Sequence, residues 1–195
     1  MQALPRITVE VPVLGVGNGG SDYEALGNHV NALRRVQGLH LTLLHIGILP
    51  DLAQEVADWT KGMTSTDAAI RGTVSWLQAL PVLEGFAGSA ERLIVLGGGS
   101  VAGLEIDVPP EVHDYRVFLV RGLHKLLDEL LVDDVDDFIL GSRALGFRSP
   151  RWIPHVAVGR PQTRDKGPRQ IPPLTVEFGE SRIRNGRFLP AVDGP

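Results

Sequence analysis

Two short segments carry the residue types best suited to chemistry in this chain: His40-Leu41-Thr42-Leu43 and His155-Val156-Ala157-Val158. Each sets a histidine two places before a small residue, with aliphatic residues between. In a strand, side chains alternate between faces, so His40 and Thr42 share one face while Leu41 and Leu43 share the other. His155 and Ala157 repeat this arrangement, with Val156 and Val158 opposite. Such a strand keeps its aliphatic side in a core and shows the histidine and the small residue to a groove. A lone histidine in an apolar strand is ordinarily structural; the repetition of the pattern singles these two out.

Two imidazoles on facing strands suit phosphodiester hydrolysis or transesterification. That chemistry needs a base for the attacking oxygen and an acid for the leaving oxygen. Imidazole titrates near neutral pH, so one ring can start neutral and the other charged. A hydroxyl beside each histidine can donate to a non-bridging phosphate oxygen, where charge gathers in the transition state. No metal and no cofactor is required.

The elements that must position these residues follow from periodicity. Ile7–Val11 alternates and is β-branched, which predicts a strand; Gly15–Gly20 is a loop. Ser21 and Asp22 cap a predicted helix running to about Val36, with Tyr23, Leu26, Val30 and Leu33 on one face. Leu39–Ile48 is a strand, Pro50-Asp51 a turn, and Leu52–Met63 a helix. Residues 64–90 read equally as helix or strand over Ala69–Leu80. Arg92–Leu96 is a strand, followed by a polar connection through Pro109-Pro110. Tyr115–Val120 reads as a strand, and Leu123 to about Val132 as a helix. Phe147–Pro154 is loop, His155–Val158 a strand, 161–173 a Pro-rich mobile loop, and Leu174–Gly179 and Ser181–Ile183 strands. Mixed elements with alternating strands imply an α+β fold with antiparallel sheets. No linker divides the chain.

Composition narrows the function. The 195 residues include 43% apolar and 22% charged side chains, ordinary for a globular protein with a sizeable core. The chain has no Cys, which excludes disulfides, zinc-thiolate sites and Cys nucleophiles. No apolar run is long enough to span a membrane, and the N-terminus lacks a signal-peptide pattern, so a cytoplasmic protein without membrane contact is expected. The net charge is −4, yet ten of the 19 basic residues and only four of the 23 acidic ones fall in residues 143–195. This basic quarter is nearly all Arg, suited to phosphate. An acidic total argues against a stable complex with long nucleic acid and favours a small phosphorylated ligand.

Other motifs compete. Gly15-x-Gly17-x-x-Gly20 matches the dinucleotide-binding fingerprint of an oxidoreductase. The preceding strand, however, holds Glu10 and Pro12, where a buried parallel strand should be continuously apolar. No acidic residue follows at the usual spacing. Gly97–Ser100 lacks the Lys of a P-loop and reads as a turn, and Asp133–Asp137 lacks the spacing of a calcium loop. His29, His45, His113 and His124 share no metal-ligand spacing. In a regular strand His45 falls on the face opposite His40.

With these residues in view, the chain resembles the 2H phosphoesterase superfamily, the 2′-5′ RNA ligase-like or cyclic phosphodiesterase-like proteins, which are marked by two His-x-Thr/Ser-x motifs. His40–Leu43 followed by Gly47 resembles the first. Arg151-Trp-Ile-Pro-His155-Val-Ala157-Val-Gly-Arg160 resembles the second, and Thr175–Phe178 through Ser181, Arg182 and Gly186 resembles the terminal strand. The resemblance implies one bilobal α+β domain over residues 1–195, with two pseudo-symmetric lobes whose antiparallel sheets line a central cleft, helices outside. It implies a monomeric phosphodiesterase for a cyclic phosphate, a 2′-5′-linked nucleotide or an RNA end. His40 and His155 would be the acid/base pair and Thr42 a phosphate donor, with Arg160 and position 157 at the substrate. Trp152, just before the second motif, either stacks on a substrate base at the cleft rim or packs the loop. Arg143, Arg148 and Arg151 would add positive potential. Ala157 departs from the pattern. Loss of one charge-assisted hydrogen bond, about 1.5–3 kcal/mol, corresponds to roughly 10- to 100-fold in rate. A nucleotide- or RNA-binding module that has lost turnover is the alternative.

Overall fold

The computed structural model of the chain describes residues 5–145, 151–163 and 167–190. Arg148, and parts of the segments 147–154 and 161–173, lie outside the described residues.

The described residues form eight strands: β1 (Ile7–Val16), β2 (Val30–Asn31), β3 (His40–Gly47), β4 (Phe86–Leu96), β5 (Val101–Asp107), β6 (His155–Pro161), β7 (Arg169–Phe178) and β8 (Arg182–Arg184). The helices are α1 (Gly20–Glu24), α2 (Leu49–Trp59), α3 (Thr66–Gln78), α4 (Pro110–Glu129) and α5 (Val135–Gly141). Hydrogen bonds link the strands in the order β2-β6-β3-β1-β7-β4-β5, β5 pairs back onto β6, and β8 pairs with β1. The path β6-β3-β1-β7-β4-β5-β6 therefore closes on itself. Every pairing in it is antiparallel, as alternation in the strands requires. The fold is α+β.

The aliphatic face of each histidine strand is sealed. Leu41, Leu43, Val156 and Val158 are buried together with Val9, Val11 and Leu104. Helices α2 and α4 pack on β3. Among the described residues no helix is long and apolar enough to cross a membrane.

Several local expectations are corrected. Tyr115–Val120 is not a strand but the middle of α4, whose buried Val112, Arg116, Leu119, Leu123, Leu126 and Leu127 recur at helical spacing. Pro110 sits in its first turn, where no N–H is needed. β-Branched and aromatic content misleads here because burial against β3 outweighs local propensity. The polar connection after Leu96 holds β5, joined to β4 by a turn in which Gly97, Gly98 and Gly99 all have positive φ. The long helix predicted from Ser21 stops at Glu24. A 3-10 turn over Ala25–Asn28 follows, and Val30 leaves to pair with Pro161. Pro50 opens α2 rather than preceding it. The ambiguous stretch resolves into α3 and the start of β4, and β7 begins at Arg169, inside the segment expected to be loop.

Candidate active site

The two histidine strands are built alike. Both begin with the same sequence of half-buried, buried and exposed positions: half-buried at His40 and His155, buried at Leu41 and Val156, half-buried at Thr42 and Ala157, buried at the next two, exposed at His45 and Arg160. In each, the partner strand skips the residue three places after the histidine. β1 pairs Glu10 with Thr42 and Val9 with Leu44, passing over Leu43. β5 pairs Gly103 with Ala157 and Ala102 with Gly159, passing over Val158. The ring nitrogens repeat too: Nδ1 of His155 lies 2.9 Å from the Ile153 carbonyl, and Nδ1 of His40 lies 3.4 Å from the Gly38 carbonyl. A carbonyl only accepts, so Nδ1 of His155 carries the proton and its Nε2 is left for chemistry. In His40 the Gly38 carbonyl shares Nδ1 with the Arg184 guanidinium, 3.3 Å away, which only donates.

β3 and β6 are antiparallel neighbours with Leu41 opposite Val156. One step along this register sets Thr42 across from His155 and His40 across from Ala157. The two imidazoles are thus diagonal on one face, where cross-strand neighbours stand about 7–8 Å apart. The register extends into a polar row over six strands: Arg182, Glu10, Thr42, His155, Glu105 and Arg92. An ion pair closes each end, Arg182 to Glu10 at 3.0 Å and Arg92 to Glu105 at 2.8 Å.

Glu10 is the charged centre beside His40. It is wholly buried, with Arg182 donating to Oε1 from Nε at 3.1 Å and from Nη2 at 3.0 Å. Its Oε2 takes the Thr8 hydroxyl at 3.4 Å and stands 3.6 Å from both Arg184 and His40 Nε2. Arg184 Nη1 is 3.1 Å from His40 Nε2. Guanidinium only donates, so the nitrogen facing it holds a lone pair. Burial lowers the His40 pKa below its ordinary value, with Arg184 acting in the same direction and the Glu10 carboxylate opposing. His40 therefore rests neutral at pH 7, poised to accept a proton.

His45 does not lie opposite His40. The bulge at Leu43 restores it to the face of His40 and Thr42, across from Thr8. It reaches solvent, yet the surrounding walls displace enough water to lower its pKa, and the charges of His155, Arg6, His40 and Arg116 add to that.

The remaining expected residues are placed as follows. Arg160 is exposed on β6, at the position His45 holds on β3, and pairs with Asn31. The Trp152 indole donates to the Thr42 carbonyl at 3.3 Å and lies edge-on to His113 with Arg116 5.8 Å from its ring centre, so it ties the segment before β6 to β3 and α4. Burial pushes Arg116 down to about 10. Arg143 and Arg151 are exposed, and the Arg143 backbone N–H donates to Glu55 on α2. His29 contacts Arg169, and His124 contacts Asp136.

Gly15–Gly20 is not all loop: Gly15 and Val16 end β1, Gly20 opens α1, and the turn between them serves its own chain. Gly17 has φ +71°, the Asp22 carboxylate accepts the Asn18 N–H at 3.1 Å, and a Cβ on Gly17 would meet the Asp22 side chain at 2.7 Å. The strand before it runs antiparallel to both neighbours, so the parallel unit of a dinucleotide fold is not formed. Asp133 accepts from the Trp59 indole, and among the described residues no three His, Asp or Glu side chains gather as metal ligands.

Sequence reasoning missed the roles of Glu10, Arg184, Glu105 and His45. A carboxylate in an otherwise apolar strand signals Glu10; alternation in Arg182-Ile183-Arg184 signals the paired arginines. Nothing local announces Glu105 or the bulge that turns His45.

No protein-family model and no curated protein sequence matches the chain. Several solved structures align with most of it. A phosphoesterase shares 16% identity over 91% of this chain and 93% of its own, with a TM-score of 0.39. E. coli LigT complexed with 3′-AMP shares 18% over 91% and 92%, with a TM-score of 0.42. TT0787 of Thermus thermophilus shares 17% over 92% and 84%, with a TM-score of 0.38. Likeness at these scores assigns no activity, and the functional reading rests on this chain's own residues.

Proposed function

We propose that the chain is a metal-independent phosphodiesterase of the two-histidine type, acting on a cyclic phosphate or a 2′-5′-linked nucleotide or RNA end. The observation that carries this reading is the matched pair of imidazoles. On adjacent antiparallel strands, each ring sets Nδ1 beside the carbonyl two residues before it, at 2.9 Å in His155 and 3.4 Å in His40, and both share one polar face. Residues 1–195 act as one bilobal domain, each half supplying one such strand.

In hydrolysis of a cyclic phosphate, His40 Nε2 takes a proton from the attacking water as the new P–O bond forms. His155 Nε2–H gives a proton to the ribose oxygen as its bond to phosphorus breaks. The product is a phosphomonoester, and exchange with solvent returns both rings to their starting states. The Thr42 hydroxyl, across from His155, and the Arg184 guanidinium, beside His40, stabilise the charge gathering on the phosphoryl oxygens.

Ala157 favours a second reading. It stands where a second hydroxyl would face His40, and an alanine there offers no donor. A binding module would retain ligand affinity without turnover. Assay of 2′,3′-cyclic nucleotides and 2′-5′-linked dinucleotides in EDTA separates the two. Turnover that His40→Ala or His155→Ala removes supports the enzyme, while saturable binding without product supports the module.

A further inference from the structure

The stretch Gly15–Gly20 and the pair Arg34-Arg35 take no part in the proposed reaction, yet they line one cavity. Its volume is about 630 Å³, in the range of small-molecule sites. None of its lining residues belongs to the histidine pair or to the polar row that runs through it.

Both walls are fixed by hydrogen bonds within the chain. On the glycine side, the Gly17 N–H donates to the Thr175 carbonyl at 2.7 Å, and the Asn18 N–H to the Asp22 carboxylate at 3.1 Å. On the arginine side, the Arg34 N–H donates to the Val158 carbonyl at 2.8 Å, and the Gly38 N–H to the Arg35 carbonyl at 3.0 Å. The Tyr23 hydroxyl joins the two sides by donating to the Arg34 carbonyl at 2.8 Å. The cavity is therefore preformed, and a ligand entering it has little chain to order.

The lining selects a ligand. Arg34 and Arg35 are exposed, and among the described residues neither guanidinium makes an ion pair. Glu24, the one carboxylate in the lining, pairs with neither. The N–H groups of Gly17 and Asn18 are already spent, so the two arginines supply the donors, and guanidinium suits phosphate oxygens. Leu33 and Val36, both half-buried, give the same cavity an apolar part. A Cβ on Gly19 or Gly20 would meet nothing within 4 Å, so packing within the chain does not call for glycine there; their bare backbone leaves the rim open to close approach.

We propose that this cavity is a binding site for a small phosphate monoester with an apolar body, separate from the reaction centre. Arg34 and Arg35 take the phosphate oxygens, and the apolar body lies against Leu33 and Val36. No histidine is needed, so the site stands or falls independently of the two-histidine reading.

Phenyl phosphate is the probe, with inorganic phosphate and phenol as its two halves, followed by amide NMR and calorimetry. Phenyl phosphate is expected to shift the amides of Gly17, Asn18, Gly19, Gly20 and Gln37 saturably. Inorganic phosphate moves the same amides at lower affinity. Arg34→Gln and Arg35→Gln change exposed side chains and leave the backbone bonds of that wall in place. Each is expected to raise Kd for phenyl phosphate by about tenfold, the size of one charge-assisted contact, and the double variant to abolish the loop shifts. Loop amides that stay still, or that shift alike in wild type and the double variant, overturn the site. So do shifts confined to β3 and β6, which put the ligand at the histidine pair. Phenol binding as tightly as phenyl phosphate overturns the assignment of an anion, and inorganic phosphate binding as tightly overturns the apolar body.

Discussion

Glu10 Oε2 stands 3.6 Å from His40 Nε2, with the Glu10 side chain wholly enclosed and the imidazole still one-fifth exposed. The carboxylate is therefore the one negative charge in this contact cluster, and it works against the burial that lowers the His40 pKa. Replacing Glu10 by Gln removes that opposition, so His40 loses its proton at still lower pH. The acidic limb of the kcat/KM profile is expected to shift downward in pH in Glu10→Gln. The same variant leaves Arg182 and Arg184 without their buried partner, at a cost on the order of 1–3 kcal/mol in urea unfolding.

The pH dependence of stability follows from the same side chains. His40 and His45 both titrate below their ordinary value of 6.5 in the folded chain. Above pH 6.5 both states hold the neutral rings. As pH falls below it, the unfolded chain takes up protons that the native chain still refuses, so stability is lost down to the native pKa values. Urea midpoints measured from pH 7.5 to pH 5 should fall, and the fall should be shallower in His40→Gln/His45→Gln.

Ala157 offers a gain-of-function test. It faces His40 on one side and Gly103, which has no side chain, on the other. Threonine suits a strand and places a hydroxyl where the second motif lacks one. Ala157→Thr is expected to raise kcat by about tenfold, the worth of one charge-assisted hydrogen bond. Steady-state kinetics on a 2′,3′-cyclic nucleotide would show it.

Gly47 fixes the far end of β3. Its φ is +84°, and a Cβ there would run into the Ala144 carbonyl oxygen. Backbone, not a flexible side chain, blocks the space, so Gly47→Ala must displace the segment after α5. A loss of about 3 kcal/mol or more is expected, read by thermal or urea unfolding, with any remaining folded protein impaired in turnover.

The histidine strands were legible because their information is local. Alternation alone puts His40 with Thr42 and His155 with Ala157, and burial of Leu41, Leu43, Val156 and Val158 follows from the same period. What alternation could not show is where it breaks. The bulge at Leu43 is set by the pairing of β1 with β3, a contact far apart in sequence, and it alone decides the face of His45. Arg184 and Glu10, near opposite ends of the chain, meet for the same reason. Helix α4 was misread over Tyr115–Val120 because its helical period is visible only across all twenty residues, with Arg116 occupying a core position that a sequence reader assigns to the surface.

In the proposed reaction His40 and His155 act as one acid/base unit. Its most direct test is kcat for a 2′,3′-cyclic nucleotide in EDTA, measured for His40→Ala, His155→Ala and the double variant, each confirmed folded by circular dichroism. Either single change is expected to lower kcat by about 10²- to 10⁴-fold, and the double variant to be little worse than either one. Substantial turnover in either single variant, or losses that multiply as for independent residues, would contradict it.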